Sequence, residues 1–382
     1  MAEKYLDLLA AAKKRLDYDK VGPGMTVLVV ADTGTYPPLR DAVHAAAVAS
    51  GADVSLLVYQ ALEHPFDDVS AFVEETITRA DYTYMLPSQV WFYNSSSERV
   101  RGIQRLTSKR VQSWEGTEAA VPHFLALLPG NDEVMARTHK MGEMLFKVKN
   151  IRVTSAAGTD LTFERGDPKR QLMNNSIGQV NYSPLTIETR MAIAAGDNTP
   201  PKETCAGTLM FQGAYRTVCP GPTILKSLVS QPVRIQIDRG RITQIARDTD
   251  HGAFLDNWFR SWDDPTVYFV DHFNIGLDHR IHLENLDNLS VHHNYGGILL
   301  GFGICFSSNR GDLGVFRAKA HIEIQLTGAS VFFDDKQIIK DGEFTEESGV
   351  QRSVRRPGVA SPFLKVDGHV LPEVATVQAR DL

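Results

Sequence analysis

The segment 318–326, Ala-Lys-Ala-His-Ile-Glu-Ile-Gln-Leu, carries the side chains best suited to bind a metal ion. Its polar and apolar residues alternate, which is typical of a half-buried β-strand. Successive side chains of a strand point to opposite faces, so His321, Glu323 and Gln325 are expected on one face. Imidazole and carboxylate are ligands of divalent transition metals, and positions about 7 Å apart on a strand can close on one ion. The pattern predicts two metal ligands, with an exposed polar sheet face as the alternative.

A third ligand is sought among the histidines, half of which fall in one span of the chain. These are His272, His279, His282, His292, His293 and His321. The others lie in predicted helices, loops and turns, and are interpreted as structural: His44, His64, His123, His139, His251 and His369. Within the span, His272 follows a strand-like run and precedes the turn residue Gly276, where it can meet a second strand.

Together, His272, His321 and Glu323 make two histidines and one carboxylate. Three protein ligands leave coordination positions of the metal ion open for substrate and dioxygen, as in non-haem Fe(II) oxygenases. The same three ligands can hold a catalytic zinc ion with an open fourth position. Spacing alone does not separate the two metals.

Composition excludes several classes of function. Of the 382 residues, 43% are hydrophobic and 23% are charged, which is ordinary for a globular protein. The net charge of −6 gives no reason to expect nucleic acid or an anionic membrane as a partner. No apolar run reaches transmembrane length. The first twenty residues are charged throughout and predict an amphipathic helix, and three scattered cysteines predict no disulfide framework. We expect a cytoplasmic protein.

Two kinds of pattern divide the chain near Lys147. Up to that point short apolar runs (25–31, 54–59, 82–86 and 110–113) alternate with helical patterns, which predicts a parallel sheet covered on both faces. Beyond it β-rich segments follow at 160–164, 233–237, 241–245, 266–273, 297–306 and 320–326. We therefore predict an N-terminal parallel-sheet α/β domain over 1–147, followed by an α+β metal-binding catalytic domain over 148–382.

Four segments occur in an order that resembles a known family. They are Gly178–Pro184, Asp271–Gly276, Gly296–Gly303 and His321–Glu323. They resemble the metal-site segments of the aminopeptidase T/S-like metallopeptidases, which read Gly-Glu-Val-x-x-x-Pro, Glu-Phe-x-Ile-Gly, Gly-Thr-x-His-x-x-x-Gly and His-x-Asp. The resemblance implies an α/β N-terminal domain, a metal-binding C-terminal domain and a homo-oligomer.

The departures from that family are informative. Its first glutamate corresponds to Gln179, its second to His272, and the histidine of its third segment to Leu299. Too few ligands remain for two metal ions. The remaining set, His272, His321 and Glu323, is similar to the ligand set of the 2,5-dihydroxypyridine 5,6-dioxygenase branch of this fold, which uses one Fe(II). That branch has His-x-Asp, whereas Glu323 is one methylene longer.

Residues that contact a substrate are predicted around these ligands. His293 is the preferred acid or base, with His292 as the alternative, because histidine titrates near neutral pH. Gln179 replaces a family ligand, and Tyr182 lies on the same segment. The remaining candidates are Tyr295 and, in a loop after a strand's carboxyl end, Asn94 and Ser95.

Three functions follow from this interpretation. The first is an Fe(II) dioxygenase, with one ion per chain, that opens a hydroxylated and N-heteroaromatic ring with O2. The second is a metal-dependent hydrolase similar to an aminopeptidase, using Zn, Mn or Co, although the missing ligands count against it. The third is a metal-free binding protein on the same scaffold.

Overall fold

The computed structural model describes most of the first half of the chain and the strands of the second half. The described residues are 2–63, 67–89, 96–97, 99–100, 107, 109–118, 120–121, 124–125, 137, 140–141, 143–144, 147–164, 172–173, 186–190, 205–218, 225–226, 229, 231–277, 296–305, 316–326 and 328–350.

The first half is built on a parallel sheet. Its strands are β1 (Thr26–Asp32), β2 (Asp53–Tyr59), β3 (Tyr82–Leu86) and β4 (Arg110–Ser113). Their order is β2-β1-β3-β4, and every neighbouring pair is parallel. The helices are α1 (Ala2–Tyr18), α2 (Pro37–Ala49) and α3 (Ala71–Arg79). The predicted parallel α/β arrangement is confirmed.

Both faces of this sheet are covered, as a parallel sheet requires. Val27 and Val29 of β1 pack in one apolar cluster with α1 and α2, and Leu28 and Val30 pack in another with α3. Helix α2 starts at Pro37, where proline is favoured because the first helical N–H needs no partner within the helix. The alternation of β1 thus divides its side chains between two helical layers.

The second half consists mainly of two antiparallel sheets. Its strands are β5 (Asn150–Thr154), β6 (Asp160–Glu164), β7 (Leu172–Met173), β8 (Thr186–Arg190), β9 (Cys205–Phe211), β10 (Tyr215–Val218), β11 (Leu225–Lys226), β12 (Val233–Asp238), β13 (Arg241–Ile245), β14 (Val270–Gly276), β15 (Ile298–Cys305), β16 (Phe316–Leu326), β17 (Ser330–Phe333), β18 (Lys336–Lys340) and β19 (Glu343–Phe344). One sheet has the order β13-β12-β9-β6-β5-β17-β18-β19, and the other has the order β11-β10-β16-β15-β14-β8-β7. We call the second one the ligand sheet.

The two antiparallel sheets share one apolar core. The rings of Phe163 in β6 and Phe273 in β14 have centroids 5.1 Å apart. Alternate residues of the ligand sheet, such as Leu300 and Ile322, belong to the same buried cluster as Ile235 of the other sheet. One face of the ligand sheet is therefore committed to the core, and the opposite face carries the polar residues.

Helix α4 (Asp250–Ser261) lies between these strands in the chain, with Thr249 as its N-cap accepting a hydrogen bond from the N–H of Gly252. Among the helices in the described part of the chain, none combines the length and apolar character needed to span a bilayer. All strand pairings of the described residues join strands on the same side of Lys147, and we keep a domain boundary there as a proposal.

Two local predictions in this half have different outcomes. The hairpin at Asp238-Arg239-Gly240 is confirmed: it joins β12 to β13, and Arg239 (φ 46°) and Gly240 (φ 71°) both have the positive φ of a tight hairpin turn. The strand predicted over 266–273 is partly wrong. Pro265–Tyr268 forms a 3₁₀ turn capped by the Asp264 side chain, and the strand begins only at Val270.

Asp264 connects this turn to the strand that carries the candidate ligands. Its Oδ1 accepts hydrogen bonds from the N–H (2.9 Å) and the hydroxyl (2.5 Å) of Thr266, and its Oδ2 accepts one from the Lys319 N–H (2.8 Å). Partial burial alone raises the pKa of Asp264, but the bonds from Thr266 and Lys319 outweigh it and hold the pKa below its usual value.

We expect Asp264→Asn to lower the free energy of unfolding at pH 7 by about 1–2 kcal/mol, because it weakens charge-assisted hydrogen bonds. Since the folded-state pKa is depressed, this stabilisation is present above the unfolded-state pKa of about 3.9 and is lost as pH falls through the folded value. Denaturant unfolding of both proteins from pH 7 to pH 3 checks this. The control is the exposed neighbour Asp263→Asn, and a difference that stays constant over this range contradicts the prediction.

Candidate functional site

His321 and Glu323 lie next to each other on β16, and their side chains meet. The Nε2 atom of His321 is 3.6 Å from Oε1 of Glu323. Ile322 and Ile324, on the other face of the strand, belong to the shared core. The predicted alternation of this segment is confirmed.

The burial of this strand differs from the prediction. We expected a half-buried strand, with an exposed polar face as the alternative, but His321 is 0% exposed and Glu323 is 5% exposed. Gln325 is also buried. A buried imidazole and a buried carboxylate side by side are costly unless they are paired or coordinated, so this face belongs to a specific site and not to the solvent.

The register of the ligand sheet brings position 272 into line with Glu323. His272 on β14 lies opposite Gly301 on β15, and Gly301 lies opposite Glu323 on β16. Directly opposed residues of antiparallel neighbours share a face, so these three positions form one row across the sheet. Two strand spacings of about 4.8 Å separate the outer positions, or about 10 Å, and the central glycine adds no side chain between them.

A β-bulge determines to which face position 272 belongs. Val270 is opposite Phe302 and His272 is opposite Gly301, so Asp271 is an extra residue in β14. Val270 lies in the core, and so do Phe273 and Phe302. In a regular strand, positions 270 and 272 would share a face because they are two residues apart. The bulge changes this alternation, so Val270 faces the core while position 272 is in line with Gly301 and Glu323 on the other face.

Arg216 of β10 completes the surroundings of the carboxylate. It lies opposite Glu323 in the sheet, and its Nη1 atom is 3.4 Å from Oε2 of Glu323, with both side chains buried. One carboxylate oxygen thus faces the guanidinium and the other faces the His321 imidazole. A buried guanidinium at this distance fixes the orientation of the carboxylate, which is what a metal ligand needs.

The donors described here fit one divalent ion. Two ligands that are each about 2.1 Å from a shared ion are about 3.0–3.4 Å apart, which is close to the 3.6 Å between His321 and Glu323. Within the described ranges no group of three histidine, cysteine, aspartate or glutamate side chains forms a metal site. The backbone of His272 is described and its side chain is not, so its role as the third ligand stays a prediction.

A second row of residues lies on the same face. Asn274 of β14 is opposite Leu299 of β15, which is opposite Gln325 of β16. All three are buried, at 1% exposure or less. Leu299 is the position at which the peptidase segments have a histidine. The row therefore presents an apolar centre between two amides, about 7 Å along the strands from the row of His272 and Glu323.

The remaining site predictions lie outside the described residues. They concern the catalytic residue His293 and the substrate contacts Gln179, Tyr182, Asn94, Ser95 and Tyr295. Conversely, Arg216, Gly301 and Asn274 were not singled out from the sequence. An arginine and an asparagine within apolar strand patterns (Tyr215–Val218 and Val270–Gly276) were the available signal.

Comparison with solved structures identifies the same architecture elsewhere. The structure of 2,5-dihydroxypyridine dioxygenase from Pseudomonas putida KT2440 matches with a TM-score of 0.70 at 18% identity, over 89% of this chain and 98% of that one. Wild-type AmpT from Thermus thermophilus matches with a TM-score of 0.51 at 11% identity, over 89% of this chain and 99% of that one. At these identities the likeness concerns the fold.

Comparison with curated protein sequences gives no match. The family model of NicX, 2,5-dihydroxypyridine 5,6-dioxygenase, does match, over residues 118–346, which is more than half of the chain. The matched region includes the whole of the candidate site on β10, β14, β15 and β16. The chain therefore belongs to the 2,5-dihydroxypyridine 5,6-dioxygenase family, a family of ring-cleaving dioxygenases.

Proposed function

We propose that the protein is a mononuclear non-haem Fe(II) dioxygenase that opens the ring of a hydroxylated N-heteroaromatic compound with O2. The observation that carries the proposal is the buried pair of His321 and Glu323, in register with His272 across Gly301. In a chain of this family, those three residues would hold one Fe(II). The ion would supply open positions for the substrate oxygen and for O2, together with the redox chemistry.

The protein's own residues would bind and orient the ring. Arg216 would hold the Glu323 carboxylate in a fixed orientation while the substrate is exchanged. Leu299, which lies in register between Asn274 and Gln325, would supply an apolar contact for a flat ring. His293 is proposed as the acid or base, with Gln179, Tyr182, Asn94, Ser95 and Tyr295 as substrate contacts. A cytoplasmic homo-oligomer also stays a proposal.

The hydrolase alternative needs more ligands than this face provides. A leucine at 299 supplies no donor where the peptidase segments have a histidine. A neutral amide at 179 replaces a carboxylate that would bind a second ion. We therefore prefer the proposed function of an Fe(II) dioxygenase to that of a hydrolase using Zn, Mn or Co.

The proposal predicts oxygen consumption that depends on ferrous iron. We expect anaerobically purified protein reconstituted with Fe(II) to take up O2 when 2,5-dihydroxypyridine is added, and to form a product whose mass is that of the substrate plus one O2. An oxygen electrode combined with mass spectrometry under ¹⁸O₂ measures both quantities. The matched control is the same protein loaded with Zn(II), for which we expect no uptake. Peptide hydrolysis under argon by the Zn, Mn or Co form would favour the alternative instead.

A further inference from the structure

Asn274 is a buried polar residue for which the described protein provides no partner. Its side chain is 0% exposed, and neither Nδ2 nor Oδ1 has a hydrogen-bond partner among the described residues. Its neighbours along the strand, Phe273 and Ile275, lie in the core on the other face. An amide that is buried without hydrogen bonds costs free energy, so an asparagine at a position enclosed on all sides indicates that something else satisfies it.

The position of Asn274 indicates what that partner is. It follows His272 by two residues and belongs to the same face. Across the sheet it is in line with Leu299 and then Gln325. The distance from the ligand row to this row, about 7 Å along the strand, is comparable with the length of a hydroxylated six-membered ring. A ring held by one oxygen at the ligand row would therefore extend toward Leu299 and bring its far edge near the Asn274 amide.

We infer that Asn274 determines specificity by binding the cyclic amide edge of the substrate ring. This inference rests on the proposed function. A carboxamide has a donor and an acceptor side by side, and a 2-hydroxypyridine in its lactam form presents the complementary N–H and C=O. Nδ2 would donate to the ring carbonyl and Oδ1 would accept from the ring N–H. A carbocyclic ring of the same shape lacks the N–H and leaves Oδ1 unsatisfied, which disfavours its binding.

The test compares two rings that differ in one atom. The probes are 2,5-dihydroxypyridine and hydroquinone, which have the same para arrangement of hydroxyl groups. We expect Fe(II)-loaded protein to bind 2,5-dihydroxypyridine at least tenfold more tightly than hydroquinone in anaerobic titrations, and Asn274→Leu to lose most of this preference. Asn274→Asp, which offers acceptors only when ionised, should also bind the pyridine more weakly. Iron content should be unchanged in both variants.

The stability of the ligand-free protein provides a second measurement. Because leucine has a similar size and no polar atoms, Asn274→Leu should raise the Tm of the protein without substrate by a few degrees. The matched control is Asn257→Leu, the same chemical change at an exposed position of α4, which should alter neither ring preference nor iron content.

The outcomes separate this inference from the proposed function. If the wild-type protein binds the pyridine in preference to hydroquinone but takes up no O2, the dioxygenase proposal fails and the role of Asn274 is still measured. If the ring preference is the same in wild type and Asn274→Leu, the inference is overturned. A lowered Tm of Asn274→Leu with unchanged ring preference overturns it as well, and shows that the amide binds another part of the chain.

Discussion

His321→Ala, Glu323→Ala and His272→Ala are each expected to lose bound iron and to lower O2 uptake by at least about a hundredfold. Even residues that only hold a metal ligand in place contribute 10–100-fold, so direct ligands should contribute more. Metal analysis of anaerobically prepared protein and the oxygen electrode give the two readouts. His44→Ala, which changes a histidine of α2 far from this sheet in sequence, should affect neither.

The variants of Glu323 need a control for folding, because Arg216 is buried beside it. Removing one partner of a buried ion pair typically costs about 3–5 kcal/mol, so Glu323→Ala could lose activity by unfolding. Glu323→Asp keeps the charge and corresponds to the His-x-Asp segment of the resembling family. We expect this variant to stay folded by circular dichroism and to keep iron with reduced uptake. Full iron content in folded His321→Ala or His272→Ala would contradict the proposed ligand set.

Gly303→Ala is expected to lower the free energy of unfolding by about 3 kcal/mol or more. Gly303 lies opposite His321 and has a φ of +99°, and a Cβ atom at this position would be 2.2 Å from the carbonyl oxygen of Ala320. The left-handed backbone costs about 1–3 kcal/mol for a residue with a side chain, and the clash with backbone adds to this. Because this clash can be relieved only if β15 moves away from β16, which carries His321 and Glu323, we also expect weaker iron binding.

Gly158→Ala is a matched control for this effect. Gly158 has a φ of +103°, but the nearest heavy atom to its added Cβ is Met210 Cγ at 3.4 Å, an ordinary contact with a flexible side chain. We expect only the cost of the backbone conformation, about 1–2 kcal/mol, and unchanged iron binding. Denaturant unfolding of both variants measures the difference. If Gly303→Ala and Gly158→Ala lower the free energy of unfolding equally, the close approach of β15 to β16 does not add to the cost of a side chain at Gly303.

Local sequence patterns were sufficient for much of the fold. The apolar runs predicted at 82–86 and 110–113 match β3 and β4 without a shift. The strand predicted over 320–326 was correct because its residue types distinguish the two faces, with isoleucines on one face and polar residues on the other. The hairpin at Arg239-Gly240 was predictable because a tight turn requires positive φ at both residues.

The features that escaped prediction depend on contacts between distant parts of the chain. Arg216 pairs with Glu323 only because β10 lies next to β16, and no local period contains that information. The strand predicted from 266 was shortened because Asp264 caps a turn that Pro265 starts, and capping competes with strand formation over a few residues. The bulge at Asp271 likewise appears only when two strands are aligned.

The extra residue has a consequence for how much length variation this strand tolerates. Deleting residue 271 would make positions 270 and 272 consecutive, and consecutive residues of a regular strand lie on opposite faces, as these two positions do across the bulge. Position 272 would therefore stay in line with Gly301 and Glu323. Two chains of this fold can thus differ by one residue at this point of β14 and keep their proposed metal ligands aligned.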